Sequence, residues 1–133
     1  MDNLVASTAE RHTQEFVHLF YQNYDTQRNL ICNLYRPDSA ILWNGNPIVG
    51  PQQYAEFLAQ LPATQHDVEV FDCQPIPSTT RAEGTSGIVV NVAGSVKYGD
   101  SPNRRTFSQN FVLMPEEGNA TNLYIQNDNF RFV

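Results

Sequence analysis

The sequence predicts an α+β domain in which three helices pack on a strongly bent antiparallel sheet, and three observations carry that prediction. From Ile88 onward the chain reads as three long strands, Ile88 to Lys97, Thr106 to Met114 and Thr121 to Val133. The helical patterns all lie upstream and end at Pro62. Between two short apolar runs stands Asn44-Gly45, the positive-φ pair that closes a tight hairpin. Strands that follow helices as a block, rather than alternating with them, belong to the α+β class.

Each element has its own signal. Ser7-Thr8-Ala9-Glu10 has the form of a capping box, after which His12, Phe16, Leu19, Phe20 and Tyr24 make a buried stripe. Asp25 or Thr26 is placed to cap a second, shorter helix carrying Leu30, Ile31, Leu34 and Tyr35, ended by Arg36-Pro37. Ala40 to Trp43 and Pro47 to Val49 are the arms of the hairpin, and Gly50-Pro51 opens a third helix whose apolar face is Tyr54, Phe57, Leu58 and Leu61. A strand from about His66 to Pro75 alternates Val68 and Val70 against Glu69 and Phe71. Ser78 to Thr85 reads as a polar loop.

The three long strands are two-faced. One parity carries Ile88, Val90, Val92, Val96 and Tyr98, then Phe107, Gln109, Phe111 and Leu113, then Tyr124, Phe130 and Phe132. The other is a mosaic: Val89, Asn91, Ala93, Ser95 and Lys97; Thr106, Ser108, Asn110, Val112 and Met114; Ile125, Asn127, Asn129, Arg131 and Val133. The first set lines a core and the second is free to meet something else.

Bulk properties narrow the function. A chain of 133 residues has the length of one domain, 1–133, with room for a real core. A formal charge of -6 with 8 Lys and Arg argues against direct nucleic-acid binding, which needs clustered cations. Without a secretory signal or an apolar run near the ~20 residues of a membrane helix, the expectation is a soluble intracellular protein. Cys32 and Cys73 match no redox or metal spacing and read as reduced thiols, at least partly buried, and Asn119-Ala120-Thr121 reads as a turn. His12, His18 and His66 show no ligand spacing, so no metal and no cofactor is expected.

Five short words occur in order: Trp43-Asn44-Gly45-Asn46, Asp72-Cys73-Gln74-Pro75, Gly94-Ser95-Val96-Lys97, Phe107-Ser108-Gln109-Asn110-Phe111 and Phe130-Arg131-Phe132. Together they resemble the nuclear transport factor 2-related export proteins, the small subunits of the heterodimeric general mRNA export receptor. The resemblance implies the conical nuclear transport factor 2-like fold and a non-enzymatic role. It implies sheet-to-sheet pairing with the like-folded domain of the large receptor subunit, contact with FG-repeat nucleoporins mainly through the complex, and shuttling between nucleus, nuclear pore and cytoplasm. No membrane is implied. The alternatives on this fold are a homodimeric Ran-GDP importer and a small-molecule isomerase or dehydratase. The importer holds Ran through acidic residues after the hairpin tryptophan and before the fifth strand. Here those places read Asn44 and Gly99-Asp100-Ser101-Pro102-Asn103-Arg104-Arg105, which disfavours it.

The resemblance turns the mosaic parity into a heterodimer face comprising Asn91, Ser108, Asn110, Val112, Ile125, Asn129 and Arg131. Val89, Ala93 and Val133 add apolar area toward a standard interface of ~1,600 Å². In the family the arginine matching Arg131 pairs with an acidic residue of the large subunit. From the residues alone, the same set is also consistent with a solvated sheet face. Self-pairing of this face would bury the three asparagines at ~1 to 3 kcal/mol for each amide left unpaired. Trp43 and Phe130 read either as core or as a shallow aromatic pocket for a nucleoporin phenylalanine, with core preferred. For an enzyme the candidate acids and bases are Tyr24, Tyr35, Asp38, Asp72, His12 and His66. The inferred lining of Trp43, Phe57, Val92, Phe107, Phe111, Phe130 and Phe132 looks like a filled core instead.

Overall fold

A computed structural model describes residues 3–76, 87–117 and 119–133. Helix α1 (Asn3–Thr26) is followed by a 3-10 helix (Arg28–Leu34), the hairpin β1 (Tyr35–Trp43) and β2 (Asn46–Val49), helix α2 (Gly50–Gln60), and strands β3 (Thr64–Pro75), β4 (Ile88–Tyr98), β5 (Arg104–Glu116) and β6 (Asn119–Phe132). The six strands form one sheet in the order β2-β1-β6-β5-β4-β3. The meander β3 to β6 is antiparallel as expected, but β6 pairs β1 in parallel, so the sheet is mixed. The last strand thus lies between the first hairpin and the meander. Among the described residues no helix is long and apolar enough to cross a membrane.

The helices differ from expectation in phase. Helix α1 is already helical at Asn3, four residues before the expected cap at Ser7. Its buried side is Ala9, Thr13, Val17, Phe20, Tyr21 and Tyr24, while Leu19 is 55% exposed and His12 and Phe16 are half-buried. Small side chains at Ala9 and Thr13 bring the helix close to the sheet, and the Thr13 hydroxyl donates back to the Ala9 carbonyl at 2.8 Å. The second helix is a 3-10 turn without a side-chain cap. Asp25 is engaged elsewhere: it accepts from the His66 backbone N–H at 2.9 Å and the Thr64 hydroxyl at 2.8 Å, and lies 2.7 Å from His66 Nδ1. That blocks pairing at the exposed edge of β3, a standard hazard of edge strands. Thr26 bonds back to Gln22. Tyr35, Arg36 and Pro37 belong to β1.

Arg28 ties the helical layer together. Its guanidinium donates to the carbonyls of Leu58, Leu61 and Pro62 and to the Thr64 hydroxyl, at 2.8 to 3.1 Å. The Leu58 carbonyl, in the last turn of α2, also accepts from the Leu61 N–H at 3.2 Å, and the Leu61 and Pro62 carbonyls lie just beyond the helix end. The hairpin turn is as read: Asn44 and Gly45 both have positive φ, 48° and 86°.

Of the register shifts among the described strands, two are single-residue β-bulges that reset the strand faces. Val68 pairs Gly94 while Val70 pairs Ala93, leaving Glu69 as the extra residue. Beyond it Val70 turns outward, 54% exposed, and Phe71 and Cys73 pack against the core, the reverse of the expected alternation. In β6 Gln126 is the extra residue between Ile125, paired with Leu113, and Asn127, paired with Val112. Asn119 to Thr121 are strand and not turn. The Ser78 to Thr85 loop lies outside the described residues. Cys32 and Cys73 are free thiols, each half-buried.

Gly94 is where the first bulge presses on its neighbour, since a Cβ there would lie 2.2 Å from the Asp67 carbonyl oxygen. Gly94→Ala is expected to lower stability by about 2 to 3 kcal/mol through forced overpacking. Chemical denaturation checks this, and an unchanged midpoint would mean that the bulge relaxes freely.

Candidate functional site: the bare outer face of the sheet

The helices cover the inner side of the sheet, where Val90, Val92, Phe107, Phe111, Leu113 and Phe130 are buried. The outer side holds most of the residues singled out by their parity. Asn91 is paired with Asn110, and Asn110 with Asn129, so the three amides form one row across β4, β5 and β6. All three are exposed. The row continues to Asp72 on β3 at one end and to Leu42 and Pro47 on the hairpin at the other. One step along the strands, Val89, Val112, Asn127, Ala40 and Val49 form a second row. In the other direction Ala93, Ser108 and Arg131 form a third, with Arg131 exposed.

Ile125 does not belong to this surface. It is 1% exposed and packs in the core, because the Gln126 bulge inverts the parity of everything before it. Tyr124, read as inward, lies instead with the Arg36 guanidinium 5.2 Å over its ring. Arg36 also forms an ion pair with Glu116.

Trp43 and Phe130 stack with centroids 5.6 Å apart and planes 6° from parallel. Phe57 and Phe132 pack on the indole as well, at 5.1 and 5.5 Å, and Phe130 itself is buried. The indole therefore spends its faces on neighbouring rings.

The outer face has a part that sequence reasoning missed. Leu42 and the 74% exposed Val49 border a cleft of about 560 Å³ between the hairpin and β6, with Pro37, Asp38, Asn127 and Asn129 also on its wall. The signal was the hairpin itself: once β1 pairs β6, its outward residues must extend the same face.

The proposed acids and bases do not converge. Asp38 and Asp72 are exposed, on β1 and β3, and His12 is half-buried on α1. His66 is committed to Asp25. Tyr24 and Tyr35 are buried, and burial raises both hydroxyl pKa values. The chemistry inside the sheet centres on a group that was overlooked, Asp128. Its two carboxylate oxygens accept from the Tyr35 hydroxyl at 2.6 Å and from Gln109 Nε2 at 2.8 Å, and Gln109 Oε1 accepts from the Tyr21 hydroxyl at 2.7 Å. Extending the Phe130 and Phe132 parity by one more residue would have found it. Burial raises its pKa to about 6, against the lowering effect of the two hydrogen bonds. Both oxygens being occupied, the arrangement locks α1, β1, β5 and β6 to one another. Among the described residues no group of three His, Cys, Asp or Glu side chains is placed to hold a metal.

A curled sheet closed by helices on its inner side, with a row of exposed amides across its outer side, defines an α+β fold class. Residues 12–132 match the Nuclear transport factor 2 (NTF2) domain family, and the chain belongs to that family. It is 36% identical over 121 residues to an NTF2-related export protein of Caenorhabditis elegans, covering 91% of this chain and 85% of the relative. It is 34% identical over 125 residues to a nuclear transport factor 2 of Oryza sativa subsp. japonica, covering 92% and 95%. Among solved structures it resembles nuclear transport factor 2 from Cryptosporidium parvum, with TM-score 0.79, 28% identity and coverage of 93% and 94%. Candida albicans Mtr2 shares the fold at TM-score 0.73 and 17% identity, over 95% and 96% of the two chains.

Because the folded-state pKa of Asp128 lies above its ordinary value of 3.8, the fold holds this proton more tightly than the unfolded chain does. The contribution is fully present below pH ~4 and declines as pH rises to about 6, by on the order of 3 kcal/mol. Comparing wild type with Asp128→Asn by denaturation between pH 4 and 7 is expected to show that decline only in the wild type. Parallel curves would assign the pH dependence to other groups.

Proposed function

We infer that this chain is the non-enzymatic small subunit of a heterodimeric nuclear mRNA export receptor, acting as one domain whose outer sheet face pairs with the like-folded domain of the large subunit. The observation that carries the reading is the amide row Asn91, Asn110 and Asn129, in register on a bare face with Arg131 one step away. Burying that row against a second copy demands that every amide find a partner in itself, whereas a different sheet can supply complementary groups around the apolar Val89, Ala93 and Val112. The relatives named NTF2-related export proteins support it. So does the fold shared with Mtr2, which has been solved in complex with the Mex67 M domain.

In this reading the pair, and not the small subunit alone, carries the main nucleoporin contacts, RNA is engaged indirectly, and the complex shuttles between nucleus and cytoplasm. Trp43 serves the core and not an aromatic-ligand pocket. Similarity to proteins named nuclear transport factor 2 keeps the homodimeric importer as the competing reading, against which stand Asn44 beside Trp43 and the arginines Arg104 and Arg105.

Arg131→Glu is expected to leave the unfolding transition in place and to weaken co-purification with the large-subunit domain by about 100-fold or more, the cost of a stranded buried charge. Unchanged association would remove Arg131 from the interface. In size-exclusion chromatography with light scattering the chain alone is expected to be monomeric and to form a 1:1 complex with that domain. A stable homodimer that binds Ran-GDP would establish the importer instead.

A further inference from the structure

Of the 8 Lys and Arg in the chain, Lys97, Arg104, Arg105 and Arg131 gather at one end of β4, β5 and β6. Lys97 pairs directly with Arg104, and Arg131 pairs with Ser108, four positions along β5 from Arg104 and on the same face. At ~3.4 Å per residue along a strand and ~4.8 Å between strands, the outer-face cations Lys97, Arg104 and Arg131 form a stripe roughly 15 Å long. Asp67, paired with Ser95, and Asp100 in the β4–β5 turn are the nearby carboxylates by register. Yet among the described residues the side-chain contacts at ion-pair distance are Arg36–Glu116 and Asp25–His66, and neither involves the stripe.

Two of these cations are nonetheless held in place. Arg104 Nε donates to Ser95 Oγ at 2.8 Å and Nη2 to the Gln65 carbonyl at 3.1 Å, all neutral acceptors. On the other side of the sheet the Arg105 guanidinium lies 3.7 Å over the Phe132 ring. A charge already immobilised loses little freedom when an anion arrives. The amide row, by contrast, reads alike from either end, so it leaves two opposed sheets free to meet in either of two directions. The stripe marks one end.

We propose that the Lys97–Arg104–Arg131 stripe receives a strand of the partner that carries carboxylates at alternating positions, acidic-x-acidic-x-acidic, and thereby fixes the direction in which the two sheets dock. Alternation puts successive carboxylates ~7 Å apart on one face of a strand, which three of them need to span the stripe. A net charge of -6 works against a long polyanion such as RNA, while a short acidic strand meets only the cationic end. The proposal rests on the sheet-to-sheet pairing inferred above.

The test measures association kinetics of the full chain with the recombinant NTF2-like domain of the large subunit at increasing salt, for wild type, Lys97→Glu, and Lys97→Glu with Arg104→Gln. Steering charges act mainly on the on-rate, so the double variant is expected to associate about ten-fold more slowly at low salt, with dissociation changed less than about three-fold and a flattened salt response. Circular dichroism establishes that each variant is folded, and Lys97→Glu, whose side chain makes no hydrogen bond among the described residues, repeats the test without disturbing the Arg104 contacts. Wild-type kinetics in both variants would overturn the stripe while leaving the pairing intact. A twelve-residue peptide with Glu at every second position and Thr between, titrated by NMR, separates the two ideas. Shifts at Lys97 and Arg104 without any binding of the large-subunit domain would keep the acidic strand and remove the pairing. No response to either probe would overturn both, and tighter binding of a single-stranded RNA of equal charge would overturn the protein partner.

Discussion

The buried carboxyl of Asp128 is the constraint around which the sheet is arranged. It sits in an aromatic interior where an unpaired charge or an unsatisfied oxygen is costly, and it is satisfied by side chains from two other strands, Tyr35 of β1 and Gln109 of β5. Gln109 in turn holds Tyr21 of α1. The four groups come from positions as far apart as residues 21 and 128, and their geometry leaves β6 one place to lie. Once Asp128 faces inward, its neighbours Asn127 and Asn129 must face outward, because adjacent residues of a strand point to opposite sides. The chemistry of the inner network therefore decides which residues reach the outer face.

The bulges at Glu69 and Gln126 do the remaining work of placement. An extra residue on one strand shifts the face of everything on one side of it, which is how Ile125 enters the core beside Leu113 while Asn127, Asn129 and Arg131 stay on the surface. The Glu69 bulge likewise sends Phe71 inward and leaves Val70 exposed. At the β3 edge of the sheet, Asp25 accepts from the His66 N–H and, with Arg28, holds the Thr64 hydroxyl, which closes groups that would otherwise invite pairing.

That face has different chemistry at its corners. Carboxylates lie along β3, cations lie at the ends of β4, β5 and β6, and the hairpin contributes Leu42 and Val49 beside a cleft. The amides occupy the middle. Such an arrangement favours specificity through complementary groups over affinity through apolar area, since amides and charges left unmatched by a wrong partner are penalised.

Much of this was legible in local pattern: the helical and strand content, the Asn44-Gly45 turn, the meander, and the amide row, because Asn91, Asn110 and Asn129 follow a period of two within strands of strong β propensity. Other features were hidden for reasons specific to each. The true buried stripe of α1 uses Ala9 and Thr13, which hydrophobicity alone ranks below Leu19. Asp128 was passed over because a carboxyl in an aromatic parity looks misplaced until Tyr35 and Gln109 are seen to bond it. The sequence by itself determined the elements, their order and the residues able to form a polar outer face. Only the tertiary structure decided which strands are neighbours, where the bulges fall and on which side Ile125 and Val70 emerge, because a one-residue slip in register carries little local cost and is chosen by contacts between residues far apart in the chain.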